Sequence, residues 1–420
     1  MNFYDSLETR SAAAREAALM ATLPAQIANA QSNSSAFASI LKGIDASQVN
    51  TRKALAALPV TRKHELLDHQ EAARAANPSQ ANVFGGFNTQ AFGAAMPRVF
   101  ASPGPIYEPE GKAQDYWRMA RSIYAAGFRA GELIHNCFSY HFVPAGSMME
   151  SGAHAVGCTV FPGGTGQTEQ QVQAIQHLHP AGYIGTPSFL KIIIEKAAEL
   201  NQPLPKSFNK AMLGGEAFPP SLRDWLLARG IAGYQCYATA DLGLIAYETE
   251  TREGLVLDEG VILEIVRPGT GDPVPEGEVG EVVITSLNPD YPLIRFGTGD
   301  LSAVLAGNCP TGRTNTRIKG WMGRADQTTK MRGMFVHPGQ IDTVAKRFPE
   351  IKRARMIVSG EMANDQMLFK AEVVGSVDGL PERISAAVRE ITKLRADIEL
   401  CVVGSLPNDG KVIEDARSYK

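Results

Sequence analysis

Four short stretches of the chain carry residue types that bind or move charge. Asp300 closes RFGTGD, directly after the β-like run YPLIRF, and a carboxylate held at a strand end accepts two hydroxyl hydrogen bonds. The plainer alternative is an Asx turn, with the same carboxylate capping its own backbone. Lys411, in PNDGK, is a loop-borne cation beyond the last predicted strand; a solvated surface charge is its alternative. Tyr237 and Ala238 lie in YQCYATAD with Asp241 three residues on, and simple core packing of the ring is the competing reading. Gly214, Gly215 and Glu216, in LGGEAF, form a turn whose glycines let a ligand approach the backbone closely.

These stretches need elements to position them. From residue 113 to 238, helical and strand-like patterns alternate: a helix in QDYWRMARSIYAAGF, a strand in GELIHNCFSY, a helix in SMMESGAHAVG and a strand in CTVFP. A helix over 168–179 follows, capped by Thr168, then strand AGYIGT, a helix opened by Pro187, strand KAMLGG, helix SLRDWLLARG and strand AGYQCYA. Such alternation predicts a parallel sheet covered by helices on both faces, with ligands at the carboxyl ends of the strands. Those ends read GGTGQT, GTPS, GGEAFPP and CYATAD, all Gly/Thr-rich turns. After residue 243 the runs GLIAYETE, GVILEIV, GEVVITS and YPLIRF predict a β-rich module. The last 90 or so residues alternate helix and strand as a compact α+β unit, joined through a linker at 324–330. At the start, Leu7, Ala14, Ala18 and Leu23 predict one amphipathic helix over 5–30, and Thr61 is the expected cap of the helix in KHELLDHQ.

Composition narrows the function. The 420 residues are 44% hydrophobic and 20% charged, with a net charge of −3, which argues against a nucleic-acid-coating protein. No apolar run reaches the roughly 18–20 residues of a membrane helix, and the first 20 residues, with Asp5 and Glu8, do not read as a secretory signal. Five widely spaced cysteines without a CxxC suit a reducing, cytoplasmic setting.

Taken together, FPGGTGQTEQQVQAIQHLHPAGYIGTPSFL (161–190), LGGEAFPPSLRDWL (213–226), YPLIRFGTGDLSAV (291–304), GRADQTTKMRGMFVHPGQID (323–342) and LPNDGKVIEDAR (406–417) resemble the phenylacetate–CoA ligase family of adenylate-forming enzymes. The resemblance runs from residue 58 to the C-terminus. It implies an α/β fold with a large N-terminal adenylate-forming domain (1–323), a hinge at 324–330 containing Asp326 and Gln327, and a small mobile C-terminal α+β domain (331–420). It implies ATP, Mg²⁺ and coenzyme A as cofactors, a small carboxylic acid as the other partner, no nucleic acid, no membrane and a possible homodimer. Residue by residue, it implies ribose binding by Asp300, contact of Arg324 with ribose or phosphate, and adenylation chemistry at Lys411. Adenine would lie by Tyr237, Ala238, Gly214, Gly215 and Glu216, with Mg²⁺ held at Asp241. The acyl group would lie among Phe138, Tyr140, Phe142 and Ala145.

Two departures stand out. The family's phosphate loop is Ser/Thr/Gly-rich and ends in lysine, whereas this chain has ASPGPIYEPEG (101–111). Pro103, Pro105 and Pro109 have no N–H to donate, and Glu108 falls where the lysine is expected. An ionised carboxylate there would repel each nearby phosphate charge by about 4 kcal/mol before screening. Of the cysteines that some relatives use for a structural zinc, only Cys309 remains, and Thr249, Val256 and Thr311 stand at the other positions; no structural zinc is expected. The leading reading is therefore an ATP-dependent ligase of an aromatic or arylacetic acid. The alternatives are an enzyme that takes a preformed acyl-adenylate or acyl-CoA, and a non-catalytic ligand-binding protein.

Overall fold

A computed structural model describes residues 3–266, 271–325, 327, 329–331, 334–336, 338–360, 365–407 and 412–417. The chain divides into two compact units, one of Met1–Gly215 with Arg223–Gly323 and one of Glu216–Leu222 with Arg324–Lys420.

The larger unit is built on a nine-stranded sheet. Strands Thr159–Pro162, Leu133–Asn136, Gly182–Gly185, Lys210–Leu213 and Ala232–Thr239 lie side by side in that order, all parallel. Their buried side chains are mostly apolar, with His135 and Asn136 as buried polar exceptions, and the connecting helices include Ala145–Val156, Thr168–Leu178 and Pro187–Glu199. At strand Ala232–Thr239 the sheet changes sense. Gly243–Glu248 pairs with it antiparallel after a short turn, and Leu255–Leu257, Arg317–Ile318 and Val304–Leu305 continue the sheet. Part of the β-rich stretch beyond residue 243 thus extends the first sheet, because a tight turn permits only a hairpin return. A second sheet holds Thr61–Arg62, Phe296–Ser302, Gly280–Ser286 and Val261–Val266.

Four local expectations are corrected. The predicted first helix is two elements: a 3-10 turn, Ser6–Thr9, and a helix, Ala12–Asn33, whose Ser11 hydroxyl accepts the N–H of Ala14 at 3.1 Å. Its buried stripe is Leu19, Leu23, Ile27 and Ala30, while Leu7 is exposed. Thr61 is not a cap, because it pairs with Phe296 as a strand residue; the next helix is closed by Glu65, which accepts the Arg62 N–H at 2.7 Å. Thr168 is the first helical residue after Gln167, which caps with left-handed backbone and no side-chain bond. In QDYWRMARSIYAAGF only Ala120–Ala125 is helical, because Asp115 takes up the N–H groups of Met119 and Ala120 from outside the helix.

The smaller unit has a four-stranded sheet in the order Asp397–Cys401, Gln366–Val373, Ile351–Ser359, Ile413–Asp415. Helices Pro338–Lys346 and Leu380–Thr392 cover it, burying Ile341, Val344, Phe369, Ile384 and Val388. Among the described residues, no helix is long and apolar enough to cross a membrane.

Candidate active site

Tyr237 and Asp300, 63 residues apart in sequence, meet in the larger unit. The Tyr237 hydroxyl donates to Asp300 Oδ2 at 2.8 Å and lies 3.2 Å from Thr298 Oγ1. The Trp321 indole N–H donates to Asp300 Oδ1 at 3.1 Å. Asp300 is only 8% exposed, so these donors hold its carboxylate largely away from bulk water. The strand carrying it is anchored by Arg295, fully buried, whose guanidinium makes two bonds to Glu264 at 2.9 and 3.0 Å and donates to the carbonyls of Ala56, Leu58 and Gly271. Removing one partner of such a pair leaves a buried charge uncompensated, at a cost of about 3–5 kcal/mol.

A second cluster surrounds Asp241. Segment 101–111 is largely a β-hairpin, Arg98–Ser102 with Ile106–Glu110, in which Glu108 is fully buried. Its carboxyl accepts the Ser102 N–H at 3.2 Å and bonds the Ser102 hydroxyl. Lys63 Nζ lies 2.7 Å from Asp241 Oδ2 and 3.4 Å from Ser102 Oγ. Asp241 Oδ1 and the Tyr291 hydroxyl, both buried, have no hydrogen-bond partner among the described residues. Burial, with the nearby Asp241 charge, pushes the Glu108 carboxyl far above the usual carboxylate range, to about 8, against the opposing pull of Lys63 and the Ser102 hydrogen bonds. Glu108 is therefore largely neutral at pH 7, which corrects the repulsion expected of it: an uncharged carboxyl does not oppose phosphates as a carboxylate would.

This has a measurable consequence. A carboxyl whose folded pKa is raised binds more protons folded than unfolded between about pH 4.5 and 8, so its contribution to stability falls as pH rises through that window. Glu108→Gln is expected to remove this slope. Its unfolding midpoint in urea should gain on the wild type between pH 5.5 and 8; parallel pH profiles for the two proteins would contradict the burial argument.

The residues expected to hold the acyl group separate. Phe138 is buried, and its ring stands beside Gly214, where an added Cβ would sit 3.8 Å from Phe138 Cζ and 2.9 Å from Cys236 Sγ. Tyr140 is half-buried, bonded to Asn136 and Glu150 at 2.8 Å each. Ala145 opens helix Ala145–Val156 and packs on the same apolar cluster as Phe138 and Ala238. Phe142 departs from expectation: it is 82% exposed, in left-handed backbone, so its ring turns to solvent while its carbonyl accepts the Ala101 N–H at 2.8 Å. Gly215 has φ +79°, and Glu216 begins the segment grouped with the smaller unit.

Of the linker and tail residues, Arg324 places its guanidinium 5.9 Å from the Phe335 ring centroid, and Gln327 accepts the Val412 N–H at 3.0 Å. Asp326 and Lys411 lie outside the described residues. Cys309 Sγ is 3.0 Å from Thr311 Oγ1, Val256 packs on the same apolar cluster, and Thr249 pairs with Thr251. Among the described residues no group of three or more His, Cys, Asp or Glu could hold a metal ion.

Sequence reasoning missed Trp321, Thr298, Lys63 and Ser102, which have no local signature. It also missed Gln171. That amide donates to the carbonyls of Gly163, Gly164 and Gly166 at 2.9, 3.3 and 3.1 Å, and its oxygen lies 2.7 Å from His135 Nε2, shaping the turn at the end of strand Thr159–Pro162. Burial pushes His135 down to about 4, so it is neutral and its proton sits on Nε2.

Comparison with known proteins fits this geometry. Residues 113–288 match the family model described as AMP-binding enzyme. A 2-hydroxyisobutyryl-CoA ligase, crystallised with 2-HIB-AMP and CoA, superposes with a TM-score of 0.83 at 24% identity, over 100% of this chain and 93% of that one, which shows a shared fold. The phenylacetate-coenzyme A ligase of Thermus thermophilus is 30% identical over 346 residues, covering 79% of this chain and 75% of the relative. That of Aromatoleum evansii is 29% identical over 367 residues, covering 83% and 80%. The chain belongs to the phenylacetate–coenzyme A ligase family.

Proposed function

We propose that the protein is an ATP-dependent acid–CoA ligase that activates an aromatic or arylacetic carboxylate as its acyl-adenylate. The observation that supports the reading is the Asp300–Tyr237–Trp321 assembly, a buried carboxylate pre-oriented by two donors, of the type that receives ribose hydroxyls. Adenine lies against the Tyr237 ring and the backbone of Gly214, Gly215 and Glu216. Arg324 and Lys411 supply positive charge as the acid carboxylate attacks the α-phosphorus and pyrophosphate leaves. The CoA thiol then attacks the adenylate carbonyl, forming the thioester and releasing AMP; residues 324–330, with Asp326 and Gln327, act as the pivot between the two half-reactions.

Asp241 fits a magnesium ion, since its buried Oδ1 has no partner among the described residues. Bound magnesium would offset polyphosphate charge during the first half-reaction. A cytoplasmic location accompanies the reading. So does a homodimer through the N-terminal helices, which would use the face opposite the buried Leu19–Leu23–Ile27 stripe; light scattering tests it.

A second reading, acceptance of a preformed acyl-adenylate, is favoured by the hairpin, where Pro103, Pro105 and Pro109 offer no N–H and Glu108 offers no positive charge. Calorimetry with AMP, ATP–Mg²⁺ and CoA, paired with pyrophosphate release on an acid panel, separates the readings. ATP binding with acid-dependent pyrophosphate release is expected. AMP binding without ATP binding would favour the second reading, and ligand binding without turnover on any acid would make the protein a binder.

A further inference from the structure

We infer that the acid this enzyme activates carries a hydrogen-bond donor, a hydroxyl or amino group, that is received by Glu150 and Tyr140. The inference rests on the ligase reading and on the acyl group lying beside Phe138 and Tyr140.

Hydrogen-bond accounting at the end of strand Leu133–Asn136 carries it. Asn136 is 1% exposed, and its amide is fully used: Nδ2 donates to Tyr140 Oη at 2.8 Å and to the Gly146 carbonyl at 2.9 Å, while Oδ1 accepts the Phe138 N–H at 3.2 Å. The Tyr140 hydroxyl accepts from Asn136 and spends its one proton on Glu150 Oε2 at 2.8 Å. Burial and the neighbouring Glu150 push the phenol's pKa up, so the proton stays on Tyr140. The donors of this trio are therefore exhausted. What remains is acceptor capacity only: one lone pair on Tyr140 and most of the Glu150 carboxylate, which no other donor among the described residues reaches.

The trio is rigidly built. Gly146 and Glu150 sit four residues apart on helix Ala145–Val156, on one face. The Tyr140 ring lies flat over Gly146, where an added Cβ would come within 2.8 Å of the ring, and so reaches Glu150 one turn on. Phe138, whose N–H is fixed by Asn136, presents its ring towards Gly214 and Cys236. Within the acyl site that the ligase reading assigns, Phe138 supplies an apolar ring and the Tyr140–Glu150 pair supplies hydrogen-bond acceptors. A plain phenyl ring matches the first and leaves the second to water. An acid whose ring bears a hydroxyl or amino group matches both, and sites built to hydrogen-bond such a group discriminate strongly against analogues without it.

The test compares kcat/KM, by pyrophosphate release, for phenylacetic acid and its ring-hydroxylated and ring-aminated forms, in the wild type, Tyr140→Phe and Glu150→Gln. The wild type should favour at least one donor-bearing acid by about 10- to 100-fold over the unsubstituted one. That ratio should fall at least several-fold in both variants, a change that loss of fold stability alone does not produce. A wild-type ratio near one, or a ratio untouched by both substitutions, overturns the inference and leaves the ligase reading standing. Absence of pyrophosphate release with every acid overturns the ligase reading and this inference with it.

Discussion

Alanine at position 411 is expected to slow acyl-adenylate formation by about 100-fold or more, the loss seen when a preorganised charge at the reacting centre is removed. The attacking carboxylate and the α-phosphoryl oxygens are both anionic, so their approach is uphill until a cation sits beside them. The loop lysine of PNDGK is the residue assigned to that work. Rapid-quench measurement of pyrophosphate from acid, ATP and Mg²⁺ reads this step. Transfer of a preformed adenylate to CoA should suffer far less from Lys411→Ala. A variant that forms adenylate at the wild-type rate would remove Lys411 from the mechanism.

The second large effect is expected at Asp300. Its two oxygens receive the Tyr237 hydroxyl and the Trp321 indole N–H, so Asp300→Ala strands two donors as well as losing two ribose acceptors. AMP affinity by calorimetry should fall about 10- to 100-fold. Asp300→Asn should be nearly as damaging, because its one carbonyl oxygen can serve only one of the two fixed donors, while its NH₂ faces the other. Affinity for AMP unchanged in both variants would mean the ribose lies elsewhere.

How far the sequence could be read depended on the kind of contact. Asp300 and Tyr237 were legible because each closes a β-like run at a Gly/Thr-rich turn, a local pattern. Their meeting was not, since Tyr237 and Asp300 lie on strands of two different sheets whose packing no local pattern reveals. Lys63 was invisible: its partner Asp241 lies 178 residues away, and a lysine at a helix start looks like any solvated charge. Glu108 was read as ionised, whereas burial and a neighbouring carboxylate, neither a property of the sequence window, raise its pKa. Phe142 was misread for a similar reason. Its aromatic type suggested a pocket wall, but its φ of +63° turns the side chain out. Of the expected N-terminal stripe, Leu23 is buried while Leu7 is exposed because the first turn is a separate 3-10 element, and Leu19 and Ile27 complete the buried face.

Glu8 is 1% exposed, and its carboxylate is gripped by the Arg313 guanidinium at 2.6 Å and the Tyr247 hydroxyl at 2.7 Å. The first of these partners is 305 residues further along the chain. At roughly 5–20 residues per second of translation, Glu8 waits about 15–60 s for Arg313 to be synthesised. Until then the Glu8 carboxylate lacks its counter-charge, so this contact can close only once residue 313 has been made. A fusion partner placed ahead of Phe3, which lies against Arg313, would burden that last closing step, so a tag at the other terminus is the sounder choice for production.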